Sequence, residues 1–240
     1  MTPRVIGVLG GLGPWATLDL FEKILRLTPA ERDQDHLRVI IDNNPRVPDR
    51  GPAILGEGED PTPALVEGAR TLERAGADFI VIPCNTAHYF HASIQAAVGI
   101  PVLHIMEEVA AAARAEVPQV RTLGLLATPA TVASRLYHHA CGGVGREVIA
   151  PDAAGQEVVT AAIYAVKAGR RDRRLTGDLL AVVRDLVSRG AGAIILGCTE
   201  LPLVLDARDL PVPLLDSNLI LARAAVRRAL GDPVPSASRP

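Results

Sequence analysis

The chain has 240 residues, 48% of them hydrophobic and 22% charged, with a formal net charge of −2 at pH 7. That describes a globular chain of one large or two small domains with a substantial core, and it gives no reason to expect nucleic acid or an anionic membrane as partner. No apolar stretch approaches the roughly 18–20 residues of a transmembrane helix, and the N-terminus lacks the basic flank of a signal peptide.

In chain order, the first predicted strand is Val5–Leu9, which breaks into Gly10, Gly11 and Gly13 before a helix over Trp15–Arg26. Further strands are expected at Leu37–Asp42, Phe79–Ile82, Val102–Ile105, Thr122–Leu126, Glu147–Ala150, Ala193–Leu196 and Val212–Leu215. Helices are expected between them, at Pro63–Ala75, Thr86–Val98, Glu107–Glu116, Thr131–Ala140, Gln156–Ala168, Gly177–Arg189 and Ser217–Ala229. Short β-branched runs alternating with amphipathic stretches imply an α/β fold of parallel sheets flanked by helices.

The chain also repeats itself. A shift of 114 residues lays Arg74–Cys84 on Ser188–Cys198: a helix end, a turn, a buried strand, and a cysteine just past it. A shift of 117 lays Ile6–Leu9 on Leu123–Leu126, and a shift of 110 lays Ile100–Leu103 on Leu210–Pro213. Two pseudo-symmetric α/β halves follow, with a cleft between them if they pack face to face. Their expected extents are residues 1–100 with 212–230, where the last strand and helix return to the first domain, and 101–211, with 231–240 as a disordered tail.

Cys84 and Cys198 both fall at the carboxyl end of a parallel strand, where α/β sheets bind ligands. Each is followed by residues that can open a helix, whose positive end favours thiolate. Two thiols facing one carbon from opposite sides can invert it, one removing a proton and the other delivering one. Cys141 has no repeat partner and is read, with His138 and His139, as loop or surface. His88 and His91 are read as solvated or core-edge, and no metal site is expected, because no zinc-type spacing is present. Three cysteines in a chain this size suggest reduced thiols in the cytoplasm rather than a disulfide framework.

Four motifs then stand in order: Gly10–Thr17, Asn43-Asn44 with Pro48-Asp49-Arg50, Pro83–His88, and Gly197–Pro202. Together they resemble the aspartate/glutamate racemase superfamily, its aspartate racemase branch in particular. The resemblance implies cofactor-independent racemization by Cys84 and Cys198 of an amino-acid substrate, in a homodimer. Glutamate racemases of this superfamily typically carry Asp-Ser-Gly and Gly-Cys-Thr-His where this chain has Gly10-Gly11 and Gly197-Cys198-Thr199-Glu200. That favours aspartate, with glutamate or a broader range as the alternative.

Arg50 resembles the family's carboxylate-binding arginine, and Lys167, one of only two lysines, matches its second basic position. Asn85, Thr86 and Thr199 are placed to hold the α-carboxylate, and Gly11 to let backbone approach the substrate. Two other readings compete. A nicotinamide-dependent oxidoreductase rests on Gly11-x-Gly13-x-x-Ala16 with Asp42 as the ribose acid, and leaves the paired cysteines unexplained. A non-catalytic amino-acid-binding protein leaves both thiols without a purpose.

Overall fold

A computed structural model describes residues 2–231, and the segment read as a disordered tail lies, beyond Gly231, outside the described residues. The first half runs β1 (Ile6–Gly10), α1 (Pro14–Leu27), β2 (Val39–Asn43), α2 (Arg50–Ile54), α3 (Thr62–Arg74), β3 (Phe79–Val81), α4 (His91–Ala96) and α5 (Ile105–Glu116). The second runs β4 (Thr122–Leu126), α6 (Pro129–Ala133), α7 (Leu136–Gly142), β5 (Glu147–Ile149), α8 (Ala153–Lys167), α9 (Arg173–Ser188), β6 (Ala193–Leu196), β7 (Leu214–Asp216) and α10 (Ser217–Leu230).

The strands form two sheets, ordered β2-β1-β3 and β5-β4-β6-β7, with every pairing parallel. β1, β3 and β6 are buried along their whole length because helices cover both faces, which is why they read as continuous apolar runs. A single bridge from Ile80 to Val102 gives the first sheet the position that β7 holds in the second. The repeat extends to packing. Gly7 pairs with Ile80 and abuts Ala77, and Gly124 pairs with Ile194 and abuts Ala191. A Cβ on Gly7 would meet Ala77 Cβ at 2.9 Å, and one on Gly124 would meet Ala191 Cβ at 3.2 Å.

The closing strand corrects the sequence expectation. β7 pairs with β6 in the second sheet, level with Ile194, Ile195 and Leu196, so Val212–Leu215 does not return to the first. What crosses over is the helix. α10 packs on α1 and α5, while α5, which follows the Val102 bridge, packs on α7. Both sheets and these helices contribute to one core, in which Val8 and Phe79 join Leu125, Ile195, Met106 and Leu221.

Three predicted elements differ in detail. Val102–Ile105 is a single bridge rather than a strand, because α5 already begins at Ile105. The helix expected over Thr131–Ala140 breaks into α6 and α7 at Arg135, whose φ of 55° is left-handed. Thr86–Val98 opens as a tighter 3-10 turn over Thr86–Phe90. There the His88 ring bonds the Cys84 carbonyl at 2.9 Å, the acceptor an α-helical N–H at 88 would use, and the His88 N–H turns to Asn85 O instead.

Candidate active site

Cys84 follows β3 and Cys198 follows β6, and both line one cleft of about 140 Å³ between the halves. Asn85, Thr86, Arg50, Lys167, Thr199 and Glu200 line it with them. The floor is stitched in both directions. Thr86 Oγ1 reaches across to the hydroxyls of Thr128 and Thr131 at 3.1 and 2.9 Å, and Thr199 Oγ1 donates back to Pro83 O at 2.9 Å.

Asn85 is held rigid. Its amide donates to Ser217 Oγ at 3.0 Å and accepts from the buried Tyr137 hydroxyl at 2.6 Å, while Ser217 itself donates to Leu196 O. With these side chains engaged, the backbone N–H groups of each helix opening are what Asn85, Thr86 and Thr199 have to offer a ligand. Sequence reading did not find Tyr137 or Ser217, since neither stands near a motif.

Glu200 is the main addition. It is 3% exposed, and Cys198 Sγ donates to its Oε2 at 3.0 Å. Burial first, and then the Glu200 charge, push the Cys198 thiol well above its ordinary range, with Lys167 opposing them. For Lys167, burial alone would lower the pKa. The charges of Glu200, the two cysteines and Asp49 outweigh it and hold the ammonium above its ordinary value. The "Cys-Thr-Glu" motif is the available signal, but in sequence Glu200 reads as a helix opener and a mark of the aspartate branch, with no contact to Cys198 implied.

Arg50, buried at the start of α2, is anchored by backbone. It donates to Val47 O at 3.2 Å and Pro48 O at 2.9 Å from Nη1, and to Leu12 O at 2.8 Å from Nη2. Its buried Nε has no acceptor. Gly11 is not part of the cysteine cleft. It lines a neighbouring cavity, its N–H is taken by Thr17 Oγ1 at 3.0 Å, and its φ of 81° answers to the Asn44 backbone against which it packs. Gly11 thus stands one cavity away from the thiols, with its N–H already engaged.

Gly13 has a different constraint. A Cβ there would fall on Glu200 Oε1. Gly13→Ala should displace that carboxylate, costing about 1–3 kcal/mol of stability as strain and loosening Cys198. A lowered thermal midpoint together with faster Cys198 alkylation checks this.

The two remaining site expectations change as well. Cys141 is fully buried in α7 rather than at the surface, and burial raises its thiol to about 11. His88 is also buried, stacked with His91 and edge-on to His104. Burial, with His104 second, lowers its pKa from 6.5 to about 3. Below pH 6.5 the unfolded chain therefore binds a proton that the folded chain refuses, and stability falls as pH drops. At pH 5 the loss is about 2 kcal/mol from this residue. Urea midpoints at pH 7 and pH 5 should separate in the wild type, and the gap should narrow in His88→Asn. Among the described residues no group of three or more His, Cys, Asp or Glu is arranged to hold a metal ion. No helix among them is long and apolar enough to cross a membrane.

Comparison with known proteins brings four findings. The family model described as Asp/Glu/Hydantoin racemase matches residues 9–225. The broad specificity amino-acid racemase RacX of Bacillus subtilis is 34% identical over 227 residues, covering 92% of this chain and 96% of that protein. Picrophilus torridus aspartate racemase superposes with a TM-score of 0.83 at 30% identity, over 94% of each chain. A glutamate racemase, RacE1 of Bacillus anthracis, shares the fold, with a TM-score of 0.64 at 23% identity over 91% of this chain and 79% of that one.

Proposed function

The chain belongs to the Asp/Glu/hydantoin racemase family, and we propose that it racemizes an acidic amino acid, aspartate first, with Cys84 and Cys198 as its acid–base pair and no cofactor. As a member of that family it is an isomerase. The observation that carries the finer reading is the pair itself: two buried thiols at equivalent positions of a repeated sheet, lining one cleft.

In one direction Cys84 takes the α-proton and Cys198 delivers its own to the opposite face. In the other the two exchange roles. The Glu200 contact keeps Cys198 protonated, which suits it to be the donor of the resting site. Backbone N–H groups at Asn85, Thr86 and Thr199 hold the α-carboxylate and stabilise the charge that develops as the α-carbon loses its proton. Arg50, whose Nε is unpaired, takes the distal carboxylate in a fork, with the Lys167 ammonium beside it. A homodimer, implied by the family resemblance, and a cytoplasmic location, read from the cysteine usage, belong to the same reading.

A broader amino-acid range is the second reading. It is favoured by a neighbouring cavity of about 240 Å³ that shares Arg50, Lys167 and Glu200 with the cleft and is walled by Trp15. Single enantiomers of aspartate, glutamate and longer amino acids, incubated in D2O with reductant and no added cofactor, test both readings. Loss of the α-proton signal together with decay of circular dichroism for aspartate is the expected result. Exchange with none of them, or a need for added pyridoxal phosphate, overturns the proposal.

A further inference from the structure

Each polar side chain that lines the cleft can be asked which of its atoms still lacks a partner. Asn85 is used at both ends, Thr86 Oγ1 is shared with two hydroxyls, and Thr199 Oγ1 is committed to Pro83 O. Glu200 is not finished. Its Oε2 takes the Cys198 thiol, while its Oε1 is buried without any donor. That oxygen occupies the space a Cβ on Gly13 would fill, at the divide between the cleft and the neighbouring cavity, both of which Glu200 lines.

A buried carboxylate oxygen without a donor is costly, because the group has left water and gained nothing in exchange. Lys167 does not relieve it. The ammonium acts on Glu200 through space, and no ion pair joins the two. Glycine at position 13 is what leaves room for this oxygen, so its place is set by the backbone. A site that binds an amino acid receives with each substrate an ammonium carrying three donors. Asp49 already accepts from Gly51 N and the Tyr164 hydroxyl, and Glu57 is exposed to water; the buried acceptor of the lining that lacks a donor is Glu200 Oε1.

We propose that Glu200 Oε1 accepts the α-ammonium of the substrate, so that one carboxylate grips the reacting amino acid with one oxygen and the Cys198 thiol with the other. The inference rests on the amino-acid racemase reading. It has a mechanistic consequence. The Glu200 charge is one of the two main causes that keep the Cys198 proton in place. An ammonium arriving on the other oxygen offsets that charge, so filling the site eases proton release from Cys198. Glu200 thereby acts on the thiol through the substrate as well as directly.

The test compares aspartate with succinate, the same dicarboxylate without the ammonium, by calorimetric titration of wild type and Glu200→Gln. The wild type should bind aspartate at least about tenfold more tightly than succinate. In Glu200→Gln, aspartate should weaken about tenfold or more, while succinate should hold or tighten, because a negative charge has gone. Equal changes for the two ligands would overturn the proposal and leave the racemase reading intact. A wild type that neither binds nor exchanges any amino acid overturns both. Should Glu200→Gln not fold, the wild-type preference decides alone, and equal affinity for the two ligands rejects the ammonium contact.

Discussion

Cys84→Ala and Cys198→Ala should each slow the interconversion of aspartate enantiomers by at least about a thousandfold, while each retains hydrogen exchange with one enantiomer only. The magnitude follows from the worth of a positioned acid or base, about 10²–10⁴-fold, and inversion needs both at once. The residual exchange follows from geometry. With Cys84 gone, Cys198 can still remove the α-proton from the enantiomer that presents it and return deuterium to the same face. With Cys198 gone, Cys84 does this for the mirror image. Proton NMR in D2O with each enantiomer therefore reads a cross pattern: each variant labels one and ignores the other. Interconversion at the wild-type rate in either variant rejects the two-thiol assignment. Identical labelling of both enantiomers by one variant shows that its remaining thiol is not confined to one face. Cys141→Ala serves as the control. That thiol is buried in α7, away from the cleft, and its loss should leave the labelling pattern unchanged.

Much of this architecture is legible in the chain because it is written twice. Shifts of 114 and 117 residues lay Phe79–Val81 on Ala193–Ile195 and Gly7 on Gly124, and the sheets bear this out: Ile80 and Ile194 pair with those glycines in turn. The third shift misleads for a local reason. Two prolines, Pro211 and Pro213, compete as the partner of Pro101. The sequence match takes Pro211, but Ile80 N donates to Pro101 O and Ile194 N donates to Pro213 O, so the true offset is two residues longer. Pairing with β6 decides that alignment, and pairing is a tertiary fact.

The site divides in the same way. Cys84, Cys198, Arg50 and Lys167 announce themselves by residue type and position. The support around them does not. Tyr137 and Ser217 reach Asn85 from 52 and 132 residues away. Glu200 looks like a residue that opens a helix until Gly13, on the opposite half, is found to leave space for its oxygen. Gly11 has a structural reason of its own for being glycine. Its conformation answers to the Asn44 backbone, and its amide to Thr17.

Arg50→Lys should separate substrate grip from chemistry. The guanidinium spends its Nη groups on Leu12, Val47 and Pro48 carbonyls and keeps Nε unpaired. Lysine preserves the charge but offers a point rather than a fork, and it cannot span all three carbonyls. Loss of the bidentate contact should cost about 2–3 kcal/mol of binding, roughly 30- to 140-fold in the dissociation constant for aspartate. The thermal midpoint should fall as well, because buried carbonyls lose their donor. The labelling pattern in D2O at saturating substrate should survive, since both thiols are untouched. The same affinity for aspartate in Arg50→Lys as in the wild type would mean that Arg50 only braces the loops of β1 and β2. The distal carboxylate would then belong to Lys167, and Lys167→Ala should show the larger loss.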